Sequence, residues 1–207
     1  MVTSNAEYAR RALLFSDKAW PRDSGGLGSW RFLFLSQNYR MSELQGAVAL
    51  AQLNKLEEVV SRRRERAAEL SSLIRGLPGV AAPIVPAGTE PSWWMYMLHV
   101  NATELGTTTK EFGQALLAEG VPGWVQYIVD PLYLSSVFAD RKTYGTSGYP
   151  LNGEHIQQFA PGLCPNAERT LSQIIALHWN ENYTTEHVEQ IGSAVAKVVA
   201  HFQEQKP

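Results

Sequence analysis

The two parts of this sequence carry different secondary-structure patterns. Residues 1–60 contain two helical segments, a long glycine-containing loop and hardly any strand pattern, whereas residues 61–207 alternate strand and helix patterns. A helix with one apolar stripe must bury that stripe against another layer of secondary structure. The pattern of residues 1–60 predicts no sheet and no further helices that could provide this layer. We therefore expect residues 1–60 to form the edge of a larger domain or assembly. We expect residues 61–207 to form an α/β or α+β domain.

Two helices are predicted in the first part. Apolar residues at near-helical spacing predict a helix over Ser4–Phe15, with Ser4 or Asn5 as its cap. A second helix is predicted over Ser42–Leu77, because Ser42 and Gln45 have the spacing of a capping box. Since about 35 residues is long for a globular helix, we expect a bend near Ser61.

The second part begins with a connector rich in proline and glycine over Pro78–Pro91. Beyond it, alternating and periodic apolar residues predict three strands and three helices. The strands are expected over Trp93–Asn101, Val125–Val129 and Ala176–Trp179. The helices are expected from Thr108 to Gly120, over Pro165–Leu177 and from Thr184 to the region of Phe202.

Charge and cysteine content exclude some classes of partner. Eighteen basic and twenty acidic residues give a formal charge of −2, which offers no general attraction for nucleic acid or an anionic membrane. Cys164 is the one cysteine, so no disulfide can form within the chain. No apolar run has a membrane-spanning length, and the first residues lack the apolar core of a signal peptide. We expect a soluble, cytoplasmic protein.

The sequence shows no complete catalytic set. Its five histidines lack the spacing of metal ligands, and the GGLG segment at 25–28 lacks the strand-then-helix context of a phosphate loop. Lys18 is expected to be a surface residue. Cys164 precedes Pro165 at a predicted helix start, which would favour a thiolate, but no histidine partner is evident and a buried thiol is the expectation.

Two groups of residues could bind an anion. Asn38, Tyr39 and Arg40 stand directly before the helix predicted from Ser42, where free backbone N–H groups and a guanidinium favour phosphate. The same residues could instead anchor the loop. The RRRER segment at 62–66 could likewise bind phosphate, or it could form a solvated helix face paired with Glu57, Glu58 and Glu69.

The stretch NYRMSELQGAVALAQLNKLEEVVSRRRERAAEL resembles the signature of the DegT/DnrJ/EryC1/StrS sugar aminotransferases. Four further segments resemble that family in the same order along the chain. They are VTSNAEYARRALLFSDKAW, LPGVAAPIVPAGTEPSWWMYMLHV, YIVDPLYL and GLCPNAERTLSQIIALHWNENYTTEHVEQIGSAVAKV. The resemblance covers nearly the whole sequence and implies the C-terminal half of a pyridoxal-phosphate enzyme of the aspartate-aminotransferase fold. On this basis residues 1–60 would be large-domain helices and the interdomain helix, and residues 61–207 the small domain.

The resemblance also implies roles for particular residues. Asn38 matches an asparagine that reaches the cofactor phosphate of the neighbouring subunit, and Arg40 matches the same motif and is a weaker candidate for cofactor binding. Tyr39 and Tyr133 are weaker candidates for substrate contact. Trp94 stands where the family often has a histidine. The residues that form the Schiff base, face the pyridine nitrogen and stack on the ring cannot be assigned in this sequence.

These implications leave three hypotheses. The chain could be part of an aminotransferase acting on a keto-sugar carried by a nucleotide, inactive alone because it lacks the Schiff-base lysine. It could be a partner subunit that completes a dimer site in trans, or a non-catalytic binding module. The expected partners are a second copy or a lysine-bearing large domain or subunit, and a small sugar substrate. Pyridoxal phosphate would be held in the intact enzyme and not by this chain alone.

Overall fold

A computed structural model describes residues 2–21, 32–153 and 156–206. The chain divides into two compact units, Met1–Leu56 and Glu57–Pro207. The GGLG segment at 25–28 lies outside the described residues.

The described part of the first unit contains two helices, each with the cap that the sequence predicts. Helix α1 spans Ala6–Ser16, and the Asn5 side chain accepts hydrogen bonds from the backbone N–H groups of the first turn. Helix α2 spans Glu43–Leu53 and begins with the predicted capping box between Ser42 and Gln45. Few side chains are buried in this unit, and α2 buries none.

The long helix predicted from Ser42 is two helices. A turn at residues 54–55 separates α2 from α3, which spans Leu56–Leu73, so the predicted bend near Ser61 and the predicted end at Leu77 are both wrong. Asparagine at position 54 suits a helix end, because its side chain competes for backbone hydrogen bonds. The glycine at position 76 has a left-handed φ of 81°, which a helix cannot contain.

The second unit is built on a four-stranded antiparallel sheet of order β1-β2-β4-β3. The strands are β1 (Val80–Ala81), β2 (Met95–Val100), β3 (Gly123–Val125) and β4 (Ile174–His178). Between and after them lie α4 (Ala102–Leu105), α5 (Thr109–Ala118), α6 (Ser136–Ala139), α7 (Pro165–Ser172) and α8 (Thr185–Glu204). This mixed α/β architecture agrees with the predicted class.

The hydrophobic core lies between one face of this sheet and the helices α3, α5 and α8. Tyr96, Leu98 and Leu177 are buried on the sheet side, and Leu70 and Phe112 are among the buried residues of the helices. Helix α5 lies close against β3, since a Cβ added at Gly113 would be 2.6 Å from Val125 Cγ2. Helices α5 and α8 begin after Thr108 and Thr184, as predicted, and each of the two starts has a capping box.

Two predicted elements of this unit have different bounds. Strand β3 ends at Val125, where the prediction began, because the chain turns at residues 126–128. Helix α7 ends at Ser172 rather than Leu177, and Ile174 and Ile175 belong to β4, where they pair with β2. Short apolar runs fit helix and strand periods equally, and β-branched side chains pack well in a sheet.

The RRRER segment lies on α3 and is paired with acidic groups. Arg62 pairs with Glu58 at 2.6 Å and Arg66 with Glu69 at 2.7 Å, which confirms two of the three expected partners. The other two arginines of the segment pair with residues distant in the chain, Glu181 and Glu90.

Candidate functional site

The segment before α2 is held against the end of α1 by backbone hydrogen bonds. Asp17 and Asn38 form an isolated antiparallel bridge. On either side of it, Tyr39 N–H donates to the Ser16 carbonyl at 2.8 Å and Lys18 N–H donates to the Gln37 carbonyl at 3.0 Å. The three motif residues therefore stand on a backbone that is fixed at its start by α1 and at its end by the Ser42 cap.

The side chains of Asn38 and Arg40 form one group with Asp17. Asn38 Oδ1 accepts from Arg40 Nε at 3.1 Å and from the Arg40 backbone N–H at 3.4 Å. Arg40 Nε also lies 3.3 Å from an Asp17 carboxylate oxygen. Because the Asn38 oxygen is used within the loop, its Nδ2 amino group is the end that can donate to a ligand, and Asn38 is exposed.

The start of α2 adds backbone donors beside this group. Ser42 Oγ accepts from Gln45 N–H at 3.3 Å, and Gln45 Oε1 accepts from Ser42 N–H at 2.8 Å. The first turn of a helix leaves further N–H groups without intrahelical acceptors, and those of Glu43 and Leu44 belong to this set. The loop and helix start together can hold an oxyanion through neutral donors.

Tyr39 and Arg40 face different surroundings. The Tyr39 ring stacks on Phe15 of α1, with ring centroids 6.0 Å apart, and is 61% exposed. Arg40 lines a cavity of about 400 Å³, whose other walls come from α1 and the turn after it, including Arg10. The loop-anchoring and anion-binding roles are thus compatible, since the anchoring uses backbone groups, the ring of Tyr39 and the Asn38 oxygen, and leaves the Asn38 amino group for a ligand.

Tyr133 lies in the second unit and is fixed by a separate network. It stands in a 3-10 turn over Leu132–Leu134, its hydroxyl donates to Glu168 Oε1, and the Cys164 N–H donates to the hydroxyl oxygen at 3.3 Å. Partial desolvation, with the hydrogen bond to Glu168, raises the pKa of Tyr133. The same hydrogen bond lowers the pKa of Glu168. Cys164 is exposed, so the expectation of a buried thiol is wrong.

Sequence reasoning missed Asp17 as a member of the site. Its pairing with Arg40 depends on a one-residue bridge between segments 21 positions apart. No periodic pattern marks such a bridge. The sequence offers one signal of this pairing: Asp17 follows an amphipathic helix and Arg40 stands before the next helix.

Two absences among the described residues concern metals and membranes. Within residues 2–21, 32–153 and 156–206, no three histidine, cysteine or acidic side chains are grouped so that they could hold a metal ion. Among the helices of that same part of the chain, none combines the length and the apolar content needed to cross a bilayer.

Residues 1–196 match the profile of the DegT/DnrJ/EryC1/StrS aminotransferase family. The chain belongs to this family. An uncharacterized protein of Methanocaldococcus jannaschii, MJ1066, is 27% identical over 207 residues, and that match covers 97% of this chain and 49% of MJ1066. The dTDP-3-amino-3,4,6-trideoxy-alpha-D-glucose transaminase of Streptomyces venezuelae is 28% identical over 139 residues, covering 67% of this chain and 33% of the transaminase.

Solved structures of the DegT/DnrJ/EryC1/StrS family have the same fold. S. venezuelae DesV, solved in complex with a ketimine intermediate, superposes with a TM-score of 0.73 at 22% identity. The superposition covers 96% of this chain and 46% of DesV. The chain therefore spans about half the length of the relatives it matches, and the mixed α/β structure aligns with about half of an aminotransferase of this pyridoxal-phosphate-dependent family.

Proposed function

We propose that residues 1–207 are the C-terminal portion of a pyridoxal-phosphate-dependent aminotransferase whose substrate is a keto-sugar carried by a nucleotide. Family membership supports the reaction class. The substrate class rests on relatives named for dTDP-linked sugars, among them the transaminase of Streptomyces venezuelae. When bound, pyridoxal phosphate supplies the electron sink that lets an amino group leave one carbon skeleton and join another.

The observation that carries this proposal is the geometry of Asn38. Its oxygen is held by Arg40 at 3.1 Å, so the amide has one orientation and its Nδ2 donors are left for a ligand. Arg40 pairs with the Asp17 carboxylate at 3.3 Å and is 47% exposed, so we expect neutral donors to contribute most of the anion binding. These groups suit the phosphate of pyridoxal phosphate, with Asn38 as the main contact and Arg40 as a weaker one.

The exposure of Asn38 supports a contact made in trans. An amide that bound the phosphate of its own fold would be expected inside a pocket, whereas Asn38 lies at the surface of its unit. We assign it to the cofactor phosphate of a neighbouring subunit. Tyr39 and Tyr133 are proposed to border the substrate, each with its ring or hydroxyl fixed by a neighbour.

The lysines of the sequence support the proposal that these 207 residues do not form the Schiff base by themselves. All six lysines are exposed. A lysine that acts as a nucleophile near neutral pH needs burial or a neighbouring cation to lower its pKa. The catalytic amine is therefore assigned to a large domain, in the same polypeptide or in a second one.

The surface of the first unit supports such a partner. Leu44, Val48, Leu50 and Leu53 of α2 are between 56% and 77% exposed. At about 3.6 residues per turn, Leu44 and Val48 lie on one side of the helix and Leu50 and Leu53 on another, so α2 exposes apolar side chains on more than one side. Exposed apolar surface of this kind marks an interaction site. We propose that it lies against a lysine-bearing large domain or against a second copy of the chain.

Reconstitution tests this proposal. The 207-residue chain is mixed with a separately produced, lysine-bearing large domain of a family member and pyridoxal phosphate. Amino transfer from glutamate to a dTDP-linked keto-sugar is then followed, with each polypeptide also assayed alone. Activity in the mixture only is expected. Activity of the 207-residue chain alone would overturn the assignment of the amine to the large domain.

The role of Asn38 is tested in the same mixture by cofactor retention. Asn38→Ala is expected to lose pyridoxal phosphate on gel filtration, and Asn182→Ala, an exposed amide of the second unit, is expected to retain it. Equal retention by the two variants would remove Asn38 from the site. Retention that depends on Asn38 without any amino transfer would favour the alternative of a non-catalytic partner subunit.

A further inference from the structure

Four aromatic residues meet at one end of the sheet in the second unit. Trp94 precedes β2, Trp124 lies on β3, Tyr127 follows it and His178 ends β4. The Trp124 and Tyr127 rings stack with centroids 5.0 Å apart, Trp94 meets Tyr127 edge-on at 6.3 Å, and His178 meets Trp124 at 4.1 Å. Strand register brings them together, because Met95 pairs with His178 while Trp124 pairs with Ala176.

This cluster is exposed where a core cluster would be buried. Trp94 is 65% exposed, Trp124 43% and Tyr127 40%, although indole rings are the side chains that gain most from burial. An exposed aromatic patch of this kind is typical of a site that is covered by a ligand or partner.

The backbone on both sides of the cluster is strained. Trp93 has a φ of 52° and Gln126 a φ of 56°, values that side chains without glycine's freedom rarely adopt. The turn at Trp93 directs that residue inward onto Tyr96, with centroids 5.5 Å apart, and leaves Trp94 outside. Such strain costs free energy and persists where a function requires it.

A small cavity beside the cluster contains polar groups. It has a volume of about 220 Å³ and its walls include Trp94, Trp124, His178 and Arg63. The Nε2 atom of His178 is buried and has no hydrogen-bond partner among the described residues. An unsatisfied polar atom of this kind is destabilising in the free chain.

Arg63 supplies the second polar group of this cavity. Its Nε and Nη2 atoms donate to Glu181 Oε2 at 2.9 and 2.6 Å, which fixes the guanidinium plane and balances its charge. The Trp179 indole N–H holds the Arg63 carbonyl at 3.1 Å. The Nη1 amino group is then the part of this guanidinium that is left to donate to a ligand.

We infer that this cavity binds a flat, uncharged heteroaromatic ring, the pyrimidine base of the nucleotide that carries the sugar. The base stacks on the Trp94 indole and accepts a hydrogen bond from Arg63. At about 220 Å³ the cavity has room for one ring with its substituents. The choice of a pyrimidine over other flat rings rests on the proposed function.

Thymidine is the probe that tests this inference, because it carries the base without a phosphate. It is titrated into the 207-residue chain, without pyridoxal phosphate or a large domain, while the indole N–H signals of Trp94 and Trp124 are followed by NMR. Saturable shifts of both signals are expected with thymidine, and none with 2-deoxyribose. Equal shifts with the two compounds would show sugar stacking and would overturn the assignment of the base.

Variants locate the contact. Trp94→Ala is expected to weaken thymidine binding by about fivefold or more, the factor that corresponds to one lost stacked base, whereas Trp94→Phe retains part of the affinity. Tyr144→Ala is the matched control, since Tyr144 is 74% exposed and belongs to the same unit. Unchanged affinity in a folded Trp94→Ala chain, or equal loss in both alanine variants, would overturn the inference. Because no amino transfer is measured, either proposal can fail without the other.

Discussion

At the scale of single residues, Asn38 serves two purposes with the two ends of one amide. The oxygen orders Arg40 and the loop, and the nitrogen is available to a ligand. A carboxylate at this position would still accept from Arg40, but it would repel an anionic ligand where the amide donates to it.

Asn38→Asp is therefore expected to reduce pyridoxal-phosphate retention in the reconstituted mixture more than Asn38→Ala does. The introduced charge repels the phosphate, while it still accepts from Arg40 and preserves the loop. Added salt screens the repulsion and should move the aspartate variant toward the alanine variant. The retained cofactor is measured by its absorbance after gel filtration at low and high salt, and equal retention at low salt would contradict this prediction.

The shifted pKa values of Tyr133 and Glu168 predict that the loop containing Tyr133 is destabilised at both acid and alkaline pH. The lowered pKa of Glu168 gives stabilisation that is present above the unfolded-state pKa of a glutamate and lost as pH falls through the lower folded-state value. The raised pKa of Tyr133 gives stabilisation that is present below the ordinary tyrosine value and lost as pH rises through the higher folded-state value.

Amide chemical shifts of Gly162 and Cys164 measure this effect, because their N–H groups donate to Glu168 and Tyr133. Both shifts are expected to change at acid and at alkaline pH in the natural chain. Glu168→Gln should remove the acid change and keep the alkaline one. Persistence of the acid change in that variant would assign it to another group.

At the scale of secondary-structure elements, helix starts were predictable and several ends were not. The caps at Asn5, Ser42, Thr108 and Thr184 all appear, because a capping side chain acts on its own next turn. The end of α7 was wrong because Ile174 and Ile175 pair with residues about 75 positions earlier, which no local pattern reveals. The bridge that joins Asp17 to Asn38 was unpredictable for the same reason.

Gly113 tests how closely α5 lies against β3. In Gly113→Ala the added methyl would meet Val125 at 2.6 Å, so the helix or the strand must shift. A destabilisation of about 1–3 kcal/mol is expected, the usual cost of forcing extra volume into a packed core. Urea unfolding followed by circular dichroism measures it.

Gly46→Ala is the matched control for this change. A Cβ at that helical position meets only Met41 Sδ, at 3.8 Å. The replacement should leave the free energy of unfolding unchanged or raise it, since alanine is a better helix former by about 0.5–1 kcal/mol. No loss in Gly113→Ala would mean that α5 and β3 have room to separate, and equal losses in both variants would mean that the effect is not specific to this contact.

At the scale of the whole molecule, the first unit has little interior of its own. Leu14 and Ala19 are the buried apolar residues among the described part of residues 1–56, whereas more than twenty such residues are buried in the second unit. The family resemblance predicted this asymmetry, and the pattern of the first 60 residues had already indicated an edge.

We expect the chain to form oligomers or aggregates at tens of micromolar, because apolar side chains of α2 are exposed. Leu44→Lys with Val48→Lys, one helical turn apart on one side of α2, should shift the population toward monomer and reduce binding of a hydrophobic dye. Ser193→Lys with Gln203→Lys on α8 adds the same charge elsewhere and is the control. Light scattering measures the mass, and a natural chain that is monomeric without bound dye would contradict the expectation.

The order of the strands also determines when the sheet can form during translation. Tyr96 and Leu177 are neighbours at the middle of the sheet, yet 81 residues separate them along the chain. At ~5–20 residues per second, a ribosome needs about 4–16 s to cover that distance. During this interval β2 has left the ribosome without its central neighbour, so its apolar face is open to chaperones until nearly the whole chain has been made.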